Sequence, residues 1–148
     1  MDSMAAIQAA GSIATAVGVW FAFRQLRMTK QQAVASFENQ LNHRYREIAE
    51  QLPVDLLLGG SLSEEDIKRH LKYFYQYIDL TNEEIFLRKN DRISDSTWES
   101  WREGIEWTLS LPTFKSAWET IKRQLPDGFQ ELRRLENENF RRNPKDWK

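Results

Sequence analysis

Asp79, Asn82 and Glu83 stand one helical turn apart, with His70 two turns earlier. Carboxyls and an imidazole at such spacing are the groups general acid–base chemistry uses. Asn82 also falls on the apolar face of its own segment, where an amide needs a hydrogen-bond partner to be tolerated. Two readings follow: an active-site cluster, or a polar anchor that fixes how helices pack. The anchor is the reading we carry forward.

Other signatures of catalysis are missing. The chain of 148 residues has no cysteine, which excludes disulfides, thiolate catalysis and Cys-ligated zinc. Its two histidines, His43 and His70, lie on different segments and lack the i, i+4 spacing of a helical metal site. Helical ribonuclease domains often place an Arg four to six residues before a His, and neither histidine has one. There is no Gly-rich phosphate loop, no G-x-S-x-G and no H-E-x-x-H. We therefore expect no cofactor and no metal, and an enzyme is the least favoured reading.

Four tryptophans, Trp98, Trp101, Trp107 and Trp118, have the surface to stack on a base or ligand. At helical spacing they read as core. The exception is Trp107, which leaves the face shared by Trp98, Trp101, Ile105 and Leu109 and is the candidate exposed aromatic contact. Glu99, Arg102, Glu103 and Glu106 read as a solvated face held by i, i+3 and i, i+4 pairs.

The elements that position these residues follow from hydrophobic patterning. Residues 4–23, MAAIQAAGSIATAVGVWFAF, carry no charge. Twenty helical residues rise about 30 Å, roughly the hydrocarbon thickness of a bilayer. All 21 Lys and Arg lie beyond residue 23, and Arg24, Arg27 and Lys30 follow the run at once, while only Asp2 precedes it. The positive-inside rule then predicts a single-pass span with the N-terminus outside and the rest cytoplasmic. A cleaved signal peptide would need a basic start, which this run lacks. Trp20 and Phe21 suit the aromatic belt at the inner interface.

The run is rich in Ala and places Gln8, Gly11, Ser12, Thr15 and Gly18 on one face. Lipid tails offer no partner to an amide or hydroxyl, and small residues let helices approach closely. This face is therefore the candidate oligomer interface, or the lumen of an assembled pore lined by Gln8, Ser12 and Thr15.

Beyond the basic exit, Val34, Phe37, Leu41, Tyr45 and Ile48 recur at spacings of three and four with no Pro or Gly between them. One helix is expected to run from the span through a stalk, ended by Pro53. The chain then divides into residues 1–27 (span and exit), 28–52 (stalk) and 53–148 (helical domain). The Leu56, Leu57 and Leu58 run should pack back on the core. Ser61 or Ser63 caps a helix opened by Glu64, Glu65 and Asp66. Its core face reads Ile67, Leu71, Phe74, Tyr75, Ile78, Asn82, Ile85 and Phe86. A second set, Tyr73, Leu80 and Leu87, marks it as central. Ser94 opens the next helix, and Pro112 is placed for the first position of another, striped by Phe114, Ala117, Trp118, Ile121 and Leu125. Phe129, Leu132, Leu135 and Phe140 line a last one. With no period-two alternation, the fold class is all-α: a transmembrane and stalk helix plus a bundle of about four more.

The segment YIDLTNEEIFLRKNDRISDSTWESWREGI, followed by LPTFKSAWE, and the Gln25-Leu26-Arg27 exit resemble a loosely defined group of small bacterial single-span membrane-anchored proteins of unknown function with a helical cytoplasmic domain. The resemblance implies a bacterial inner-membrane setting and carries no activity and no active-site residue. The residues beyond the span hold 21 acidic and 21 basic side chains. That balance argues against a nucleic-acid partner. The expected partners are the lipid bilayer, further copies of the chain, and a protein bound by the cytoplasmic domain. The expected function is a self-associating membrane effector or scaffold. The alternative is an anchored module that recruits another protein.

Overall fold

The computed structural model describes the backbone of residues 2–147 and the side chains of residues 15–147. Every regular element described is helical: α1 (Asp2–Ala49), α2 (Val54–Leu57), α3 (Glu64–Lys89), α4 (Asp95–Ser110), α5 (Pro112–Gln124), α6 (Gln130–Asn137) and a closing 3-10 turn, Pro144–Asp146. The chain divides into two compact units, Met1–Ala35 and Ser36–Lys148.

The first unit is the leading part of α1. No helix among the described residues is long and apolar enough to cross a membrane. The side chains of the uncharged run up to residue 14, and with them Gln8, Gly11 and Ser12, lie outside the described residues. From residue 17 onward the apolar side chains are exposed on every side of the helix: Val17, Val19, Trp20, Phe21, Phe23, Leu26 and Met28.

The second unit is a helical bundle arranged around α3. Ser63 rather than Ser61 caps that helix, its Oγ accepting from the Asp66 amide at 3.1 Å. Glu64, Glu65 and Asp66 meet the positive end of the dipole, and Arg88 and Lys89 sit at the negative end. Asp91, in the left-handed region at φ 55°, closes the C-terminus, and the Arg92 amide reaches back to the Leu87 carbonyl at 2.9 Å. Ser94 caps α4 on the Thr97 amide at 3.3 Å, and Pro112 occupies the first turn of α5.

Helix α3 packs against α5, α6 and the closing turn. Phe74 and Tyr77 meet Phe114 edge to face at 5.1 and 5.2 Å between centroids. Leu41, Ile48, Leu56, Ile78, Leu80, Ile85, Trp98, Trp118, Leu132 and Leu135 complete the core. The leucine run divides: Leu56 is buried inside the short α2, Leu57 is partly covered and Leu58 is exposed. Tyr75, Phe86 and Leu125, expected on core faces, are exposed instead. Tyr75 stacks its edge on Phe129 at the rim, and Leu125 caps α5 with non-helical backbone, which swings it off the stripe. The tail docks: Trp147 is buried, donates from Nε1 to Glu138 at 2.8 Å and lies under the Arg134 guanidinium.

Candidate functional site

The four residues singled out on α3 do not converge. His70 Nδ1 contacts the Asp66 carbonyl of its own helix at 2.8 Å. Glu83 pairs with Arg44 of α1. Asp79 is exposed and borders a surface hollow of about 280 Å3 with Arg44, Glu47, Ile48 and Gln76. Asn82 Oδ1 accepts from the Leu132 amide at 3.1 Å. That amide lies in the first turn of α6, whose own N-cap, Phe129, supplies no side-chain acceptor. Asn82 thus caps a helix other than its own. Of the small-residue face, Thr15 and Gly18 are described and exposed. A Cβ added at Gly18 would meet nothing within 4 Å. Trp107 is 53% exposed.

The residues that do gather lie on a face of α3 that sequence reading passes over. Tyr77, Thr81, Glu84 and Arg88 follow one another at spacings of four, three and four, and all four are buried. Each of the three Arg88 side-chain nitrogens has an acceptor. Nε donates to Asn143 at 2.9 Å, one terminal nitrogen to the Ile93 carbonyl at 2.8 Å and the other to Asp95. Arg88 and Lys145 both attract the Asp95 carboxylate and hold its pKa below the usual range, the Arg88 hydrogen bond foremost. This network joins the end of α3 to the turn before α4 and to the tail. It is structural.

Glu84 is different. Its side chain is 7% exposed, and no hydrogen bond to its carboxyl is formed among the described residues. It faces a cleft of about 150 Å3 lined by Asn42 and Tyr45 from α1, Tyr77 and Glu84 from α3, and Ser100, Trp101, Gly104, Ile105 and Thr108 from α4. A smaller, mostly apolar hollow of about 80 Å3 shares Tyr45, Tyr77 and Thr108 with it and reaches to Trp107 and Leu111. Tyr45 and Tyr77 stand edge to face at 6.4 Å.

Burial pushes the Glu84 carboxyl up to about 8, Glu83 adds to the rise, and Arg44 opposes it. At neutral pH the group is mostly protonated. Burial likewise raises the Tyr77 hydroxyl far above its ordinary range, against the Thr108 hydroxyl, which lowers it. Thr81 Oγ1 also lies near the Tyr77 hydroxyl but closes no hydrogen bond of normal geometry. The cleft therefore offers one ionisable carboxyl, aromatic walls and hydroxyls, and no basic side chain lines it.

Gly104 stands at its mouth, in the middle of α4. An alanine there would favour the helix by roughly 0.5–1 kcal/mol, and a Cβ at Gly104 would meet nothing within 4 Å. Packing does not require this glycine. Among the described residues, no group of three or more His, Asp or Glu is arranged to hold a metal. No protein-family model, curated protein or solved structure matches the chain.

Proposed function

We propose that this protein is held at a membrane by its N-terminal helix and acts there as a self-associating effector or scaffold. The observation that carries this reading is the collar of apolar side chains exposed around α1. Phe23 and Leu26 are 66% and 70% exposed, and Val17, Val19, Trp20 and Phe21 extend the surface around the helix. A water-facing helix of a globular protein shows one apolar stripe, whereas a helix apolar all round belongs in lipid or inside an assembly. Arg24, Arg27 and Lys30 follow the uncharged run and favour a cytoplasmic domain at a bacterial inner membrane. The Arg24 guanidinium lies 5.5 Å from the Trp20 ring, a pairing suited to an interface where one end is apolar and the other wet. The open surface at Gly18 leaves room for a second helix to approach, and Gln8, Gly11, Ser12 and Thr15 would extend that contact.

The test uses the full chain. Val19→Arg places a charge on the collar at an insertion cost of about 2.5–3.5 kcal/mol. It should move the protein from the carbonate-resistant membrane pellet to the supernatant. In mild detergent the wild type should have the mass of a defined multimer, and Gly18→Leu should reduce that mass. A wild type that is extracted by carbonate, or that is a monomer in detergent, would sink the corresponding half of the proposal.

A second reading, an anchored module that recruits another protein, is favoured by Trp107. It is exposed at the rim of the smaller hollow, and Leu57 and Leu111 line the same hollow. Trp107→Ala should then abolish partner capture while leaving membrane association unchanged.

A further inference from the structure

We propose that the cleft around Glu84 is a binding site for a small organic ammonium ion, with Tyr45, Tyr77 and Trp101 as its aromatic walls and Glu84 as its counter-charge. Four observations lead there. The carboxyl is more than nine-tenths buried, faces the cleft and has no hydrogen-bonding partner among the described residues. Its oxygens open onto the cleft and are not sealed in the core, so an entering cation can reach them. The cleft volume, about 150 Å3, matches a cavity that takes a benzene-sized group. It is below the several hundred Å3 of a site that encloses a whole drug-sized ligand, so it suits a head group. The walls are aromatic, and the negative faces of Tyr and Trp rings attract ammonium groups by up to roughly 2 kcal/mol when desolvated. Finally, Gly104 lines the cleft at a position where packing does not require a glycine.

An anion is disfavoured by the same inventory. The cation that acts on the carboxyl, Arg44, is engaged with Glu83. The titratable groups around Glu84 are Tyr45 and Arg44 from α1 and Tyr77 and Glu83 from α3; the α4 wall, Ser100, Trp101, Gly104, Ile105 and Thr108, carries none. Binding a cation favours the ionised carboxylate, so a proton leaves Glu84 for solvent as the ligand enters. Affinity should rise with pH, by about tenfold per unit below the Glu84 titration near 8, and level off above it.

The proposal does not depend on the membrane reading, and its test gives the same answer whether or not the chain inserts in lipid. The full chain, in a sugar-head-group detergent, is titrated by calorimetry with choline, with n-butylammonium and with 3,3-dimethyl-1-butanol, the uncharged isostere of choline. An ammonium should bind at least tenfold more tightly than the isostere, release a proton below pH 8, and lose at least tenfold in affinity and its pH slope in Glu84→Gln. Circular dichroism checks that this near-isosteric variant is folded. Glycerophosphocholine binding more tightly than choline would assign the source as a lipid head group, and the reverse order a free solute. Equal binding of choline and its isostere, choline binding unchanged in Glu84→Gln, or no binding of either ammonium at millimolar concentration would overturn the proposal.

Discussion

The two units of this chain break the usual rule of burial in opposite directions. In the first, apolar side chains from Val17 to Met28 stand exposed around a helix with nothing described that covers them. In the second, Tyr77, Thr81, Glu84 and Arg88 run as a polar row through the centre of a bundle. Each inversion carries an unfavourable term that must be offset. In the function we propose, lipid or other copies of the helix relieve the exposed collar. The buried row is relieved by internal partners, and only in part. Arg88 has its hydrogen bonds; Glu84 does not. Where the offset is visible, the residue is structural. Where it is missing, as at Glu84, a bound cation is the offset we propose.

That contrast within α3 breaks most visibly at Arg88. Arg88→Ala removes a side chain that is 1% exposed and leaves the Ile93 carbonyl without its side-chain donor, while Asn143 keeps only its bond from the Lys145 amide. Leaving a buried carbonyl unsatisfied costs about 1–3 kcal/mol, and the space the side chain vacates adds to that loss. Thermal melts should show a large drop or an unfolded domain. A variant that melts with the wild type would show that the network is not what holds the tail to α3.

Glu84 sharpens the same comparison through pH. Its folded pKa, about 8, lies above the ordinary carboxyl value of 4.5. Between those values the native state binds more protons than the unfolded one, so stability falls as pH rises from about 4.5 to about 8 and is flat on either side. At about 1.4 kcal/mol per pH unit, the loss across the window amounts to a few kcal/mol. Glu84→Gln should abolish that slope and melt above the wild type at pH 8. A wild-type melting temperature independent of pH across this window would show that the carboxyl is solvated or paired.

How much of this is legible in the sequence follows from the kind of pattern involved. The all-helical class is legible because apolar residues recur at three and four and no segment alternates. The helix starts at Ser63 and Ser94 and the turn at Pro112 are legible because capping and φ restriction are local chemistry. The buried polar row is not. A Glu and an Arg at helical spacing on a third side of α3 carry no apolar signal, and only the packing of α1, α4 and the tail against that side turns them inward. The spacing of Tyr77, Thr81, Glu84 and Arg88 was the available signal, and its residue types pointed the wrong way. The exposure of Tyr75 and Phe86 has the same origin: periodicity marks a wide apolar face without saying where its neighbours stop.

Asn82 offers the smallest effect and separates two meanings of a polar residue on an apolar face. In the structure its amide oxygen caps the first turn of α6, which lacks an acceptor of its own. Asn82→Ala removes an N-cap and should cost about 1 kcal/mol, read as a modest fall in melting temperature. Asn82→Asp keeps the oxygen and adds a negative charge at the positive end of the α6 dipole, so it should restore or exceed wild-type stability. If Asn82 belonged to a catalytic or ligand-binding cluster with Asp79 and Glu83, a third carboxylate beside them would abolish function without this pattern in stability. Rescue by Asp of what Ala removes is the signature of a cap, because the α6 amide needs only an oxygen at that distance and is indifferent to the group that carries it.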